Sequence, residues 1–449
     1  MWAMFTILLL LLGLIQNYTI NMEQHMEDYL WAALYGDEQR PNLLPCDADR
    51  RAKQVGSLSK TTQADKKDIM TADRTTHSRH RRLLAHAFSE KALREQEDIL
   101  VKYCTKLLVQ LEAHCADGPV DLTHWFHLTT FDLIGSLAFG QDFSCIDTGK
   151  PHPFVASVKH VSQELIMSQM ARYYGFASLR NFFTLRGSAT SRVANAQRAK
   201  EMVDARVARG PTEDRKDFWH YVLAADEDED SGKGLSLPEM VVDAFSIAIA
   251  GSDGTATALT ATLYLLLTHR DIYHQLQTSI RRDFGAEEEI TSLTLLNQRI
   301  PLLDAVFHES MRLYPPVAIT LPRLVPPGGE CIDGLFVPAG TTVGVNHLSA
   351  YHSAKNFHQP LDFLPGRWLE NHDKPNADIK ASFQPFSVGP RSCLGKNLAR
   401  AEMRLILARM LWRFDLELMP ECQDWMDGQR IYGFWVKPPL MCRISQRSS

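Results

Sequence analysis

The strongest constraint on this chain is a run of about thirty residues, Ser236 to Leu267, that is apolar nearly all the way round. It opens with Ser236-Leu-Pro-Glu239, a capping-box pattern with proline in the first turn, so the run predicts a helix. At about 1.5 Å per residue it would span roughly 45 Å. A helix apolar on every face has to be buried, and other helices have to surround it. The pattern supplies them over Lys91–Ala116, Leu122–Ala138, Ser191–Val207 and Asp271–Phe284. Strand-like segments come only late, at Cys331–Val337, Thr341–Val345 and Ile431–Val436, with Pro338-Ala-Gly340 as the turn between the first two. The expected class is mainly α with small β-sheets, an α+β chain. The acidic run Asp226-Glu-Asp-Glu-Asp230, followed by Ser-Gly-Lys-Gly, reads as a solvated linker.

The centre of the long helix breaks its own pattern. Ala250-Gly251-Ser252-Asp253-Gly254-Thr255 holds two glycines and a carboxylate, and each glycine costs about 1 kcal/mol against alanine in a helix interior. Two readings account for that cost: close contact with another helix, or a bulky group lying against the backbone. A formal charge of −5 gives no sign of a general nucleic-acid binder. The 8 cysteines contain no Cys-x-x-Cys pair and point to a reducing compartment rather than a disulfide framework.

One cysteine has a distinctive setting. Phe386-Ser-Val-Gly389-Pro-Arg391-Ser-Cys393-Leu-Gly395 leads into a helical run from Lys396 to about Arg413. A thiol just before a helix lies near unpaired N–H groups and the positive end of the helix dipole, which favour thiolate. Gly389 and Gly395 let the loop bend close under a flat ligand, Phe386 can shield the sulfur, and Arg391 adds a cation. A buried structural cysteine is the bland alternative, but it leaves the glycines, arginine and aromatic in register unexplained.

The segment resembles the haem-binding signature of the cytochrome P-450 family, Phe-x-x-Gly-x-Arg-x-Cys-x-Gly, at every specified position. The resemblance implies the cytochrome P-450 fold and a b-type haem (haem b), with Cys393 as axial iron ligand and Arg391 as a propionate partner. Other segments fall in the family's order. Glu309-Ser-Met-Arg312 resembles its Glu-x-x-Arg helix, and Phe363-Leu-Pro365-Gly-Arg367-Trp368 supplies a third member, Arg367. A buried Glu–Arg–Arg cluster would be a structural lock, and is expensive unless fully hydrogen-bonded. Arg323 stands where the family places another propionate-binding arginine. His77-Ser-Arg-His-Arg81 resembles the Trp-x-x-x-Arg helix, with His77 for tryptophan, which implies propionate contacts from His77 and Arg81. Arg79 and Arg82 read as a solvated basic face, which with Lys396, Arg400 and Arg404 would meet an acidic reductase.

Ala250-Gly251-Ser252-Asp253 resembles the family's oxygen-activating helix, in which an acid and a threonine deliver protons. That makes Asp253 and Thr255 the catalytic candidates. The chain departs from the family here, because Gly254 holds the threonine position. Thr255 lies one residue on, about 100° round the helix. Proton delivery would then need ordered water, a substrate hydroxyl or a local helix distortion.

The resemblance is densest over Glu309–Leu418, and His77–Glu95 looks most like fungal secondary-metabolism members. It implies hydroxylation of a hydrophobic small molecule by dioxygen, with electrons from NADPH through NADPH-cytochrome P-450 reductase. Two other readings stay open: a truncated non-catalytic haem-binding paralogue, and a haem-thiolate isomerase or dehydratase that needs no distal threonine.

Residues 1–20 are expected to form a short membrane anchor, since Trp2 to Ile15 is apolar apart from Thr6, with a signal-peptide core as the competing reading. The anchor would place the chain on the endoplasmic reticulum membrane with its catalytic domain facing the cytosol. Residues 21–73 form a divergent region lacking the proline-rich hinge and part of the N-terminal sheet, in which only fragments such as Trp31–Gly36 and Asp68-Ile-Met-Thr-Ala72 resemble the family. Residues 74–449 are expected to be the haem-binding catalytic domain.

Overall fold

The computed structural model describes residues 44–45, 67–153, 188–210, 216–224, 234–297, 300–369 and 378–447. The helices that frame the site are α1 Arg74–Ala85, α2 Glu97–Cys115, α3 Leu122–Phe139, α4 Ser188–Val207, α5 Phe218–Ala224, α6 Leu237–Thr268, α7 Arg270–Asp283, α8 Pro301–Leu313 and α9 Lys396–Arg413. The expected helix over 91–116 is split at Gln96, whose φ of −93° and ψ of 0° end one short helix before α2 begins.

The buried helix is α6, 32 residues long, and α3, α4, α8 and α9 pack around it. Its start follows the sequence reading: the Ser236 N–H and hydroxyl both donate to the Glu239 carboxylate, at 2.9 and 2.8 Å. Its two central glycines divide between the two readings of the sequence. A Cβ on Gly251 would lie 2.7 Å from the Ile134 side chain, so this glycine lets α3 approach. A Cβ on Gly254 would meet nothing within 4 Å, so this one faces open space.

The sheets are small. Phe414–Leu418 pairs antiparallel with Met441–Gln446, which also takes Val120–Asp121 on its other edge. Leu44–Pro45 pairs with Arg323–Leu324, which pairs in turn with Thr342–Val343. Three strand expectations need correction. Cys331–Val337 is a hairpin, Glu330–Ile332 against Leu335–Val337, because Asp333 and Gly334 both adopt positive φ and make the tight turn. Thr342–Val343 accordingly pairs elsewhere than across Pro338-Ala-Gly340. Ile431–Val436 is likewise Arg430–Tyr432 against Phe434–Val436 around Gly433, at φ +76°.

The expected anchor at 1–20, most of region 21–73, and the 226–230 acidic run lie outside the described residues. Among the described residues no helix is long and apolar enough to cross a membrane.

Candidate functional site

Cys393 ends a tight loop at the start of α9. Its N–H donates to the Phe386 carbonyl at 2.8 Å, and the Ser392 N–H donates to Gly389 at 3.0 Å. The loop needs positive φ at Ser387 (+56°) and Gly389 (+77°). Gly395 is different: it caps α9 at φ −84°, and its N–H points to the Cys393 sulfur. Phe386 packs at the core's edge beneath the Arg400 guanidinium, 5.4 Å from its ring.

Burial pushes the Cys393 thiol up, against the Gly395 N–H and the charges of Arg81 and Lys396, which pull it down. The helix start and the neighbouring cations therefore favour the thiolate but do not by themselves outweigh desolvation. The Cys393 side chain is nonetheless exposed. An accessible thiol that still suffers desolvation is expected where a side chain faces a recess rather than the outer surface. Metal coordination would reverse the balance, since a coordinating thiol is deprotonated.

The expected propionate partners converge only in part. Arg81 donates to the Ser392 carbonyl at 2.7 Å and to the Ser392 hydroxyl at 3.1 Å, which ties α1 to the cysteine loop. His77 lies one turn before, buried, with its pKa lowered to about 4 by burial and by the Arg391 and Arg81 charges. It is neutral near pH 7 and can donate from one ring nitrogen. Arg391 donates to the carbonyls of Ile69 (3.4 Å), Met70 (3.1 Å) and Ala72 (2.5 Å). Arg323 stands apart from this group: it donates to Pro322 O at 3.0 Å and its charge reaches His347, whose pKa burial lowers to about 4.

The basic face also differs from expectation. Arg79 is an ion-pair partner, not a solvated cation, with its guanidinium 2.6 Å from Glu239. Arg404 is neutralised by Asp304 at 2.5 Å. Lys396 and Arg82 remain exposed.

On the α6 side, Ala250 is exposed, and Asp253 and Gly254 are partly so, within an otherwise buried helix. The Asp253 carboxylate lies 3.1 Å from the Lys437 ammonium and 3.8 Å from His127, and accepts from Thr257 at 3.4 Å. The Lys437 ammonium also donates to Thr257 at 2.5 Å. Thr255 faces the other way. It is buried, contacts the Gly251 carbonyl at 3.4 Å, and its hydroxyl lowers the pKa of the wholly buried Glu402 on α9, which burial otherwise raises well above the carboxylate range. The structure thus sets Thr255 between helices and gives Asp253 partners from distant parts of the chain. Lys437 is 184 residues away, and no local pattern marks it.

The Glu–Arg–Arg cluster is assembled in full. One Glu309 oxygen accepts from Arg312 (2.8 Å), Arg367 (3.0 Å) and the Leu364 N–H (3.0 Å). The other accepts from Arg312 (3.0 Å) and the Trp368 indole (2.8 Å). Asp378, absent from the sequence reading, takes Arg367 at 2.7 Å.

These residues fit a haem. A thiol at a helix start faces a recess, His77, Arg81 and Arg391 gather beside it, and Gly254 on α6 leaves space that a Cβ would fill. Comparison with known proteins agrees. The family model for cytochrome P-450 matches residues 47–441. The chain is 40% identical to cytochrome P-450 monooxygenase stcF of Emericella nidulans over 384 residues, covering 85% of this chain and 78% of that one. It is 39% identical to averantin hydroxylase of Aspergillus parasiticus over 383 residues, covering 85% and 76%. A solved cytochrome P-450 haem domain superposes with a TM-score of 0.77 at 20% identity, over 94% of this chain and 86% of that one.

Proposed function

Since this chain belongs to the cytochrome P-450 family, we propose that it is a haem-thiolate monooxygenase hydroxylating a hydrophobic small molecule in fungal secondary-metabolite biosynthesis. The observation that carries this is the Cys393 loop: an accessible thiol at the start of α9, aided by the Gly395 N–H and flanked by Arg81 and Lys396. Relatives named as monooxygenases and hydroxylases favour oxygen insertion over the redox-neutral and non-catalytic alternatives.

A bound haem supplies the iron at which dioxygen is activated for insertion into a C–H bond. Cys393 would hold that iron, with the Gly395 N–H and the Arg81 charge stabilising the sulfur's negative charge. Arg81, Arg391 and neutral His77 would receive the carboxylates at the edge of the group. Gly254 leaves room beside the α6 backbone. Asp253 is the acid placed to handle protons there, kept in position by Lys437 and Thr257. Thr255, turned to Glu402, has no part in that step.

Electrons would come from NADPH through NADPH-cytochrome P-450 reductase, for which exposed Lys396 offers positive charge on the cysteine side. The apolar stretch Trp2 to Ile15 supports an anchor in the endoplasmic reticulum membrane, with the catalytic domain in the cytosol.

The test is a carbon monoxide difference spectrum of the reduced protein. A red-shifted thiolate-type band in the wild type, lost in Cys393→Ala, is expected, and absence of the band from the wild type sinks the reading. Averantin is the first substrate to try, since two relatives are named averantin hydroxylase. Product heavier by one oxygen, dependent on NADPH and reductase, is the expected outcome.

A further inference from the structure

Residues 67–72 cross from α6 to the cysteine loop, and both of their ends are fixed. Asp68 nucleates one turn: its carbonyl accepts from the Thr71 and Ala72 N–H groups at 3.1 and 2.8 Å, and its carboxylate from the Thr71 N–H at 2.8 Å and from the Thr71 hydroxyl. This turn presents the carbonyls of Ile69, Met70 and Ala72 in one direction, and all three receive the Arg391 guanidinium. Arg391 is two residues from Cys393, so the placing of this short segment is felt at the loop.

The other end is fixed by α6. The Ile69 N–H donates to the Asp243 carboxylate at 2.7 Å, and the Ser246 hydroxyl donates to Asp68. Asp243 and Ser246 are three apart and share one helix face. Asp243 is completely buried, as is His80, whose Nδ1 lies 2.8 Å from its second oxygen. Burial works against a charged His80, but the Asp243 hydrogen bond and the charges of Asp243 and Glu239 raise its pKa above the usual value. Glu239, one turn before Asp243, takes Arg79 from the same side. A buried carboxylate is costly, and apolar residues at such a position would serve packing as well. What only the carboxylate supplies is a fixed acceptor for the Ile69 N–H.

We propose that Asp243 is a positioning residue for cofactor retention, acting through residues 67–72 to hold Arg391 in place beside Cys393. This rests on the haem reading above. Asp243 acts through other residues: the carboxylate sets the segment whose carbonyls orient the guanidinium.

The test uses the haem-loaded protein and measures transfer of its haem to excess apomyoglobin, alongside thermal unfolding. Asp243→Ala should release haem about tenfold faster, the ratio expected for loss of one charge-assisted hydrogen bond. Asp243→Asn keeps an acceptor for Ile69 and should stay within about threefold of wild type. Ser246→Ala removes the second anchor with little change in packing, and should release haem about threefold faster with Tm within about 2 °C. Wild-type release rates in both Asp243→Ala and Ser246→Ala overturn the proposal. So does Asp243→Asn releasing haem as fast as Asp243→Ala, which makes the effect one of buried charge alone. Should Asp243→Ala fail to fold, Ser246→Ala decides. A wild-type protein that takes up no haem overturns this proposal and the haem reading together, whereas wild-type rates with haem bound overturn the positioning role only.

Discussion

Two buried charge networks flank the site, and they are built to different standards. Around Glu309, both carboxylate oxygens have more than one donor, and the two arginines direct further N–H groups to the carbonyls of Tyr351, Pro360, Asp362, His358 and Gln359. Nothing there can move without leaving a buried charge unpaired. Around Asp253 there is one close ammonium, a weaker hydroxyl contact and a histidine at 3.8 Å, and the carboxylate keeps 18% of its side chain exposed. The first arrangement fixes a fold. The second leaves a carboxylate able to exchange partners, which a proton-handling group requires.

The widest gap between the two should appear on deletion. Arg367→Ala strands the Asp378 charge and leaves Glu309 with Arg312 as its remaining cation, and is expected to cost about 3–5 kcal/mol of stability, measured by thermal or denaturant unfolding. A loss under about 1 kcal/mol would mean that the Glu309 cluster is no tighter than the Asp253 cluster.

Acid should reach the Glu309 lock and the cysteine loop together. His308, its ring tilted against Trp368 beside the lock, and His77, beside Cys393, have pKa values lowered to about 4, and so does His347. Burial is the largest cause in each; His308 also faces Arg400, Arg404, Lys396 and Asp304. At these three histidines the unfolded chain binds more protons than the folded one between about pH 4 and 6.5, so the stability they contribute is present above that window and lost as pH falls through it. The raised pKa values of Glu402 and His80 act in the opposite direction. The decline should be roughly 1 kcal/mol per pH unit or more. A Tm that is flat from pH 6.5 to 4.5 would contradict it, and His308→Gln should make the decline shallower.

Lys437→Met sharpens the contrast from the other network. It should cost about 1–2 kcal/mol, less than Arg367→Ala, while raising the peroxide released per product formed. A stability loss as large as that of Arg367→Ala, with peroxide unchanged, would make Lys437 another lock residue. The smallest effect on stability is expected from Gly254→Thr. The added Cβ meets no atom within 4 Å, so Tm should shift by less than about 2 °C. Peroxide leakage should fall if a missing hydroxyl limits proton delivery, and unchanged leakage would show that Thr257 and Asp253 already suffice.

Much of this was legible in the sequence, for reasons that differ by residue. Local rules act within a few positions, so the capping at Ser236–Glu239, the α9 boundaries Lys396–Arg413 and the pairing of Glu309 with Arg312 could all be read directly. The hairpin at Asp333-Gly334 was available to the same rules but was masked by the apolar run across it. Trp368 follows Arg367 directly in the chain, yet nothing local shows that its indole serves Glu309.

The cysteine loop and its family follow from local sequence, because a thiol, two glycines and an arginine act within ten consecutive residues that lead into a helix. So does the burial of α6, because its apolar faces leave no alternative. Folding in three dimensions assigns one glycine to helix packing and the other to open space, turns Thr255 to Glu402, and joins Asp253 to Lys437. The physical reason is the same in each case. Packing contacts, hydrogen bonds and ion pairs depend on distance in space, and partners separated by 117 to 184 residues leave no periodicity or spacing to read.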